Sequence, residues 1–91
     1  MAIIANFTVS GCTVDKYEAV LRELDAIGVG AAPKGQLYHV CYGSHDNLQV
    51  VEVFDSVASF DSFGKALGPI LAKHGITAVP EVNDVYKIMK A

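Results

Sequence analysis

The stretch at residues 50–63 decides the fold, and it is VVEVFDSVASFDSF. Its first five residues are mostly β-branched or aromatic, which predicts a strand that ends at Phe54. Ser56 is a suitable N-cap, because its hydroxyl group can accept a hydrogen bond from the first turn of a following helix. Phe60 and Phe63 are three residues apart and so share one helix face. The stretch therefore predicts a strand followed at once by an amphipathic helix.

The same helix continues beyond this stretch. Its apolar spacing extends to His74, and Gly75 is a natural C-terminal stop. Gly68 and Pro69 interrupt the pattern, because a proline ring clashes with the preceding helical turn. The sequence therefore predicts a kink, or two short helices with Pro69 near the start of the second.

The other elements surround this unit and complete the fold. Turn residues and apolar periodicity predict strands at residues 3–9, 37–42, 48–54 and 79–88, with a hairpin loop at residues 43–47. Another helix follows the N-cap Thr13 and stops at Gly28. The order is β-α-β-β-α-β, the ferredoxin-like arrangement of the α+β class, with two helices on one face of an antiparallel sheet. A chain of 91 residues predicts a single domain over residues 1–91.

The composition excludes several classes of protein. Hydrophobic residues make up 52% of the chain, charged residues 19%, and the net charge is −3, which excludes a disordered chain. The seven Lys and Arg residues are scattered, so we expect no nucleic-acid partner. Charged or polar residues interrupt every apolar run, so we expect no membrane partner. The first residues, MAIIAN, contain no basic segment, and we therefore expect a cytoplasmic protein without a signal peptide.

The strands predict apolar surface on both faces of the sheet. Val51 and Val53 lie on one face of the third strand, whereas Val50 and Phe54 lie on the other. Two helices packed on one face leave the second face uncovered, and monomers rarely expose so large an apolar patch. We therefore predict that the sheet face pairs with a second copy of the chain in a closed homodimer.

The order of elements resembles the dimeric α+β barrel superfamily and, within it, the antibiotic biosynthesis monooxygenase-like family. Residues 50–63 are similar to that family's strand ending in Trp or Phe, its acidic-Ser cap, and its helix with aromatic residues near the start. The opening strand, the helix start at residues 13–17 and the LGPIL stretch at residues 67–71 also resemble small stand-alone members. The resemblance implies a pocket between sheet and helices. It also implies cofactor-free oxidation of phenols, haem degradation, other ring chemistry or simple ligand binding.

The haem-degrading branch of the superfamily suggests three site residues. That branch uses an Asn on the first strand, an aromatic residue early in the second helix and an axial His near the end of that helix. Asn6, Phe63 and His74 stand at similar places, although the branch has Trp where this chain has Phe63. We therefore expect no required cofactor, and haem remains the alternative that the resemblance implies.

Asn6 and His74 are candidate catalytic residues on their chemistry as well. His74 lies four residues after Ile70, on the stripe expected to face the sheet, where an imidazole could be a general base or a metal or haem ligand. The structural alternative is a helix-end residue that interacts with the last carbonyl groups. Asn6 could orient a phenolate or a peroxide, or could satisfy nearby main chain.

His39 is the third candidate catalytic residue. It lies in the middle of the second strand, and the hairpin places it opposite Glu52 in one register or Val51 in the other. A His–Glu pair inside the barrel would be a plausible acid/base couple, and the alternative is a structural pair at the interface.

Three further residues are candidate substrate contacts, namely Tyr17, Phe63 and Leu67. Tyrosine often lines ligand pockets, although it also serves as a core or interface anchor. No HExxH motif is present and the three histidines are far apart in sequence, so we expect no metal.

Two functions remain open from the sequence. The first is a cofactor-independent monooxygenase, in which a histidine deprotonates a small hydrophobic or aromatic molecule that then reacts with O₂. The second is a non-catalytic dimer that binds a small molecule or another protein. The fold-level resemblance favours the enzyme.

Overall fold

The computed structural model describes residues 1–30 and 33–91. Its elements are β1 (Ile3–Ser10), α1 (Val14–Ala26), β2 (Gln36–Ser44), β3 (Asn47–Phe54), α2 (Val57–Lys73) and β4 (Thr77–Asp84). The four strands form one sheet in the order β2-β3-β1-β4, and all neighbouring strands are antiparallel. The predicted ferredoxin-like β-α-β-β-α-β order is confirmed, and so is the strand–helix unit at residues 50–63.

Both helices begin at the predicted caps. The hydroxyl oxygen of Thr13 accepts a hydrogen bond from the backbone N–H of Lys16 at 3.3 Å, and that of Ser56 accepts one from the backbone N–H of Ser59 at 3.1 Å. The chain leaves α2 through Gly75, which has a φ of 68°. Glycine adopts this left-handed conformation at little cost, so α2 stops there and the chain turns towards β4.

Of the two alternatives predicted for Gly68 and Pro69, that of two short helices is wrong, because α2 continues through both residues. α2 is one helix of 17 residues with Pro69 inside it. Gly68 has no Cβ atom to clash with the proline ring, which removes part of the steric conflict that proline imposes on the residue before it. Phe63 and Ile70 are buried on either side of the break, and their packing stabilises a continuous helix.

The last strand ends earlier than the predicted residue 88. Asp84 pairs with Ile3 at the start of β1, and Val85 donates a backbone hydrogen bond to the carbonyl oxygen of Ala2 at 2.9 Å. The ladder stops here because β1 offers β4 no further strand residue to pair with. Pro80 is tolerated because β4 is an edge strand.

The β2–β3 hairpin is tighter than the predicted loop at residues 43–47. Ser44 pairs with Asn47, so only His45 and Asp46 form the turn. The start of α1 contacts this turn, because Val14 donates a backbone hydrogen bond to the carbonyl oxygen of His45 at 2.9 Å. This contact ties the hairpin turn to the first helix.

The core lies between the helices and one face of the sheet. Phe54 and Ile3 are its most deeply buried large side chains. The ring centroid of Phe54 lies 5.6 Å from that of Phe60 and 5.8 Å from that of Phe63. The end of β3 is therefore joined to the first two turns of α2 by aromatic packing, as the sequence of this unit indicates.

The opposite face of the sheet is uncovered in the single chain and carries apolar side chains on β2, β3 and β4 among polar ones such as Asn6 and Glu81. Val40 and Tyr42 of β2 and Val79 of β4 are each at least half exposed, and Val51 and Val53 of β3 are half-buried beside them. The prediction of apolar residues on both faces is confirmed. Neither helix in the described part of the chain is long and apolar enough to cross a membrane.

We expect Phe54→Ala to lower the free energy of unfolding by about 3–5 kcal/mol, because it removes a fully buried ring and leaves a cavity. Urea unfolding at a fixed protein concentration measures this change. Tyr86→Ala is the control, since Tyr86 is fully exposed and its loss should cost no more than about 0.5 kcal/mol. Equal losses in the two variants would contradict the core described here.

Candidate functional site

A small cavity lies between the sheet and the two helices. Its volume is about 70 Å³, it is open on one side, and its lining is almost entirely apolar. The lining includes four of the predicted site residues: Tyr17 from α1, His39 from β2, and Phe63 and Leu67 from α2. Glu52 from β3 also lines it. The structure therefore brings together the three predicted substrate contacts and one predicted catalytic residue.

The polar part of the cavity is a connected chain of three side chains. The Tyr17 hydroxyl group lies 2.7 Å from Nε2 of His39, and Nδ1 of His39 lies 3.2 Å from Oε1 of Glu52. Both ring nitrogens of His39 are therefore engaged, one by each neighbour. We call this chain the Tyr–His–Glu triad.

Two features of the backbone assemble the triad. His39 is opposite Glu52 in the β2–β3 ladder, which selects one of the two registers that the sequence left open. Tyr17 lies one turn into α1, where its backbone N–H donates to the carbonyl oxygen of Thr13 at 2.9 Å. The ring of Tyr17 stacks on that of His39 with centroids 6.1 Å apart. The hairpin thus places Glu52 beside His39, and the start of α1 places Tyr17 beside His39.

Glu52 is unusual because it is a carboxyl group inside the core. The residue is only 3% exposed. Its Oε1 atom contacts His39, but its Oε2 atom is buried without a hydrogen-bond partner among the described residues. An unsatisfied buried polar atom costs about 1–3 kcal/mol or more when charged. An unpartnered buried oxygen at the wall of a cavity marks Glu52 as a candidate functional residue.

The pKa of Tyr17 shows which form of this hydroxyl group the triad contains near neutral pH. Burial raises this pKa to about 12, and the nearby Cys41 thiol adds to the effect. Tyr17 therefore keeps its proton near neutral pH. Its hydroxyl group can donate to Nε2 of His39 when that nitrogen carries no proton, and the Nδ1–H group of His39 can then donate to Oε1 of Glu52. As a hydroxyl group, Tyr17 can still accept a hydrogen bond at its oxygen.

His74 does not reach the cavity, and the expectation that it faces the sheet is wrong. It caps the C-terminus of α2, where its Nε2 atom contacts Oε2 of Glu23 in α1. Lys73 contacts the other oxygen of Glu23 at 2.6 Å. Hydrogen bonds from Lys73 and then His74 lower the pKa of Glu23. The end of α2 therefore contacts Glu23 of α1 through Lys73 and His74, and these contacts join the two helices.

Asn6 lies on the other side of the sheet from the cavity. It is exposed, and its neighbours in the ladders are Val51 and Glu81. Strand alternation explains the position, since Ala5 and Phe7 point towards the helices and Asn6 must point away. Asn6 and His74 are thus on different surfaces, and neither joins Phe63 in the cavity.

These positions do not fit haem. The expected arrangement needs Asn6, Phe63 and His74 around one pocket, but only Phe63 lines the cavity. His74 is engaged by Glu23 at the end of α2. In the part of the chain that the structure describes, no group of three or more His, Cys, Asp or Glu residues is placed to hold a metal ion.

Sequence reasoning missed two aspects of the site. Tyr17 was expected as a substrate contact and not as the hydrogen-bond partner of His39, because nothing in the sequence relates the first helix to the second strand. Cys12 also lines the cavity, and burial raises its pKa as a thiol. The sequence feature that could have indicated this position of Cys12 is that it directly precedes Thr13, the N-cap of α1.

Comparison with solved structures identifies proteins of the same shape. A candidate antibiotic biosynthesis monooxygenase from Deinococcus radiodurans aligns with a TM-score of 0.63 and 10% identity, covering 100% of this chain and 98% of that one. SnoaB, a cofactor-independent oxygenase from Streptomyces nogalater, aligns with a TM-score of 0.59 and 18% identity, covering 99% and 96%. A candidate monooxygenase from Shewanella loihica aligns with a TM-score of 0.56 and 19% identity, covering 96% of both chains.

The comparisons establish the class of fold. The chain has the ferredoxin-like α+β fold of antibiotic biosynthesis monooxygenase-like proteins, which confirms the resemblance seen in the sequence. No family model and no curated protein sequence matches the chain. The likeness extends over nearly the whole length of the chain and of each of these structures.

We expect Tyr17→Phe to remove the ionisation near pH 12 from a spectrophotometric tyrosine titration, because this hydroxyl group is buried against His39. The measurement follows the absorbance of phenolate from pH 9 upwards, with circular dichroism at each point to verify folding. Tyr86→Phe is the matched control, and it should leave the last step in place. If the ionisation near pH 12 persists in Tyr17→Phe, Tyr17 is not the buried tyrosine of the triad.

Proposed function

We propose that the protein is a cofactor-independent monooxygenase that acts on a small aromatic molecule with an acidic hydroxyl group. The observation that carries this proposal is the Tyr–His–Glu triad at the wall of an apolar cavity. SnoaB, which has the same fold, is itself a cofactor-independent oxygenase. The likeness in fold supports the proposal, and the triad supplies the base that such chemistry needs.

Binding would remove water from the reacting group. Phe63 and Leu67 provide apolar surface against which an aromatic ring can pack. The hydroxyl group of the substrate would then donate a hydrogen bond to the oxygen of Tyr17. Exclusion of water strengthens this contact, because electrostatic interactions are weakly screened in an apolar site.

The triad would accept the substrate proton by a relay. The substrate hydroxyl gives its proton to the Tyr17 oxygen while Tyr17 gives its own proton to Nε2 of His39. His39 becomes an imidazolium, and Glu52 stabilises it through Nδ1. Tyr17 ends the step protonated, as its raised pKa favours. A general base of this kind accelerates a reaction by about 10²–10⁴-fold.

The electrons would come from the substrate itself. The phenolate has carbanion character at a ring carbon, which bonds to O₂ and forms a hydroperoxide after taking up a proton. The C–H proton and the outer OH of the hydroperoxide then leave together as one water molecule, and a C=O group remains. One oxygen atom of O₂ enters the product, and the other leaves as water with two substrate hydrogens. No separate reductant is needed for this balance.

We expect His39→Gln to lower kcat/KM for oxygen uptake by about 10²–10⁴-fold, because it removes the base of the relay. An oxygen electrode measures uptake with phenols and anthrone-type compounds of one to three rings. His74→Ala is the control, since His74 lies outside the cavity, and it should retain the wild-type rate. No uptake by the wild-type protein across this panel would contradict the proposed activity.

A binding protein without turnover is the second candidate function. The observation that favours it is the almost entirely apolar lining of the cavity, which suits the binding of an apolar group without chemistry. A ligand at 100 times its Kd would add about 2.7 kcal/mol of stability. A rise in Tm with a phenol, together with no oxygen uptake, would favour this function over the enzyme.

We also propose that two copies of the chain pair through the uncovered sheet face. This face is defined by Tyr38, Val40, Tyr42, Val51, Val53 and Val79, and most of these side chains are substantially exposed in one chain. Stable interfaces bury about 800 Å² per partner. Burial of this face in a pair would account for the high hydrophobic content of a short chain.

We expect light scattering after size exclusion to give about twice the 9.7 kDa of one chain. Val40→Glu should shift the protein towards the monomer, because it places like charges on both copies at the contact. Val57→Glu is a matched control, since both valines are 50% exposed but Val57 begins α2. A wild-type mass near 9.7 kDa would contradict the pairing.

We further propose that the protein resides in the cytoplasm. Cys12 and Cys41 are both free thiols in the structure. Free thiols persist most readily in reducing compartments. Fractionation of cells that express the chain would test this location, and recovery outside the cytoplasm would overturn it.

A further inference from the structure

Part of the cavity wall consists of buried hydrocarbon side chains that the proton relay does not use. Four such residues line the cavity, and each is at most 7% exposed: Val9, Val20, Leu24 and Ile76. All four belong to one cluster of the core. Leu21 and Leu67 also line the cavity, but they are partly exposed to solvent. The four buried residues therefore mark the part of the cavity that is furthest from solvent, and we call this part the inner pocket.

The volume of the cavity limits what can be enclosed in it. The cavity has about 70 Å³, which is less than half of the roughly 150 Å³ of an engineered apolar cavity that holds benzene. An aromatic ring is therefore not enclosed, and it can pack only at the open side. A space of roughly 10–15 Å³ is enough for one water molecule. The cavity thus has room for a molecule of two atoms.

The polar groups at the cavity wall are engaged with other protein groups. The Tyr17 hydroxyl group contacts His39, and His39 contacts Oε1 of Glu52, whose other oxygen is enclosed. The Cys12 thiol donates a weak hydrogen bond to the carbonyl oxygen of Thr13 at 3.8 Å. A buried water molecule needs about two to four polar partners. The hydrocarbon side chains of the inner pocket provide none, so the pocket suits a small apolar molecule better than it suits water.

We propose that the inner pocket binds molecular oxygen. O₂ has two atoms and no dipole, and an apolar molecule transfers favourably from water to apolar surroundings. The inner pocket belongs to the same cavity as Tyr17, whose oxygen receives the substrate proton in the relay. The ring at the open side and O₂ in the inner pocket then share one cavity, which favours their reaction through proximity. This inference rests on the proposed function, because it places the second reactant in the same cavity, but it concerns binding and not turnover.

Dissolved O₂ is itself the probe, because it is paramagnetic and accelerates the relaxation of nearby protons. Methyl relaxation rates are measured by NMR under O₂ pressure and under argon, without a substrate. The enhancement should be several-fold larger for the inner pocket than for Ile3, Leu48 and Ile70, which are similarly buried but do not line the cavity. Equal enhancement in the two groups would overturn the proposal, since O₂ would then have no preferred place in the core.

Two variants that fill the cavity locate the effect. Val20→Ile adds one methyl group, and Ala78→Val adds two carbon atoms at a lining residue that is opposite Val9 in the β1–β4 ladder. Each should lower the enhancement at the other methyl groups of the inner pocket towards that of the buried controls. Ala78→Val keeps the test valid if Val20→Ile does not fold. Val57→Ile is the matched control, because it makes the same change at an exposed valine of α2, and it should retain the wild-type enhancement. Wild-type enhancement in both filling variants would overturn the proposal.

Oxygen uptake separates this inference from the proposed function. With an oxidised substrate, Val20→Ile should raise the KM for O₂ several-fold and change kcat less, whereas Val57→Ile should change neither. Selective enhancement in a protein that shows no uptake supports the oxygen pocket and rejects the monooxygenase. Uptake without selective enhancement supports the monooxygenase and rejects the oxygen pocket.

Discussion

The burial of the Glu52 carboxyl group beside His39 is the constraint on which the rest of the site depends. A carboxylate in an apolar core is expensive unless a donor stands next to it. The β2–β3 ladder provides that donor by placing His39 opposite Glu52, and α1 then adds Tyr17 at the outer nitrogen of the ring. The pair is thus costly for folding and useful for chemistry, because the same low dielectric that penalises the charge strengthens its contacts.

Much of the fold could be predicted because local patterns determine it. The cap at Ser56, the aromatic spacing at Phe60 and the terminal Gly75 each indicate a boundary through the chemistry of a few neighbouring residues. The errors arose where a distant partner decides. Pro69 remains inside α2 because packing on both sides supports the helix, and β4 stops at Asp84 because β1 begins at Ile3.

The site was harder to predict than the fold, because its geometry depends on contacts between residues that are distant in the sequence. The pattern placed Phe63 and Leu67 on the inner face of α2 correctly, because helical periodicity is local. The position of His74 depends on Glu23, fifty-one residues away in the chain, and no spacing rule relates them. Asn6 shows the value of strand alternation, since its position between Ala5 and Phe7 already assigns it to the opposite face. The prediction that Asn6 belongs to the site followed the resemblance to haem-degrading proteins and not this alternation.

The tight turn at His45 and Asp46 has a consequence for how such a protein can change. In a ladder with a period of two, one extra residue in the turn would exchange the faces of β2. His39 would then face outwards, and Tyr38 and Val40 would enter the core. A single insertion in this turn would therefore remove His39 from the cavity and bring residues of the outer face into the core. The orientation of His39 and of the outer side chains of β2 therefore depends on the number of residues between Ser44 and Asn47.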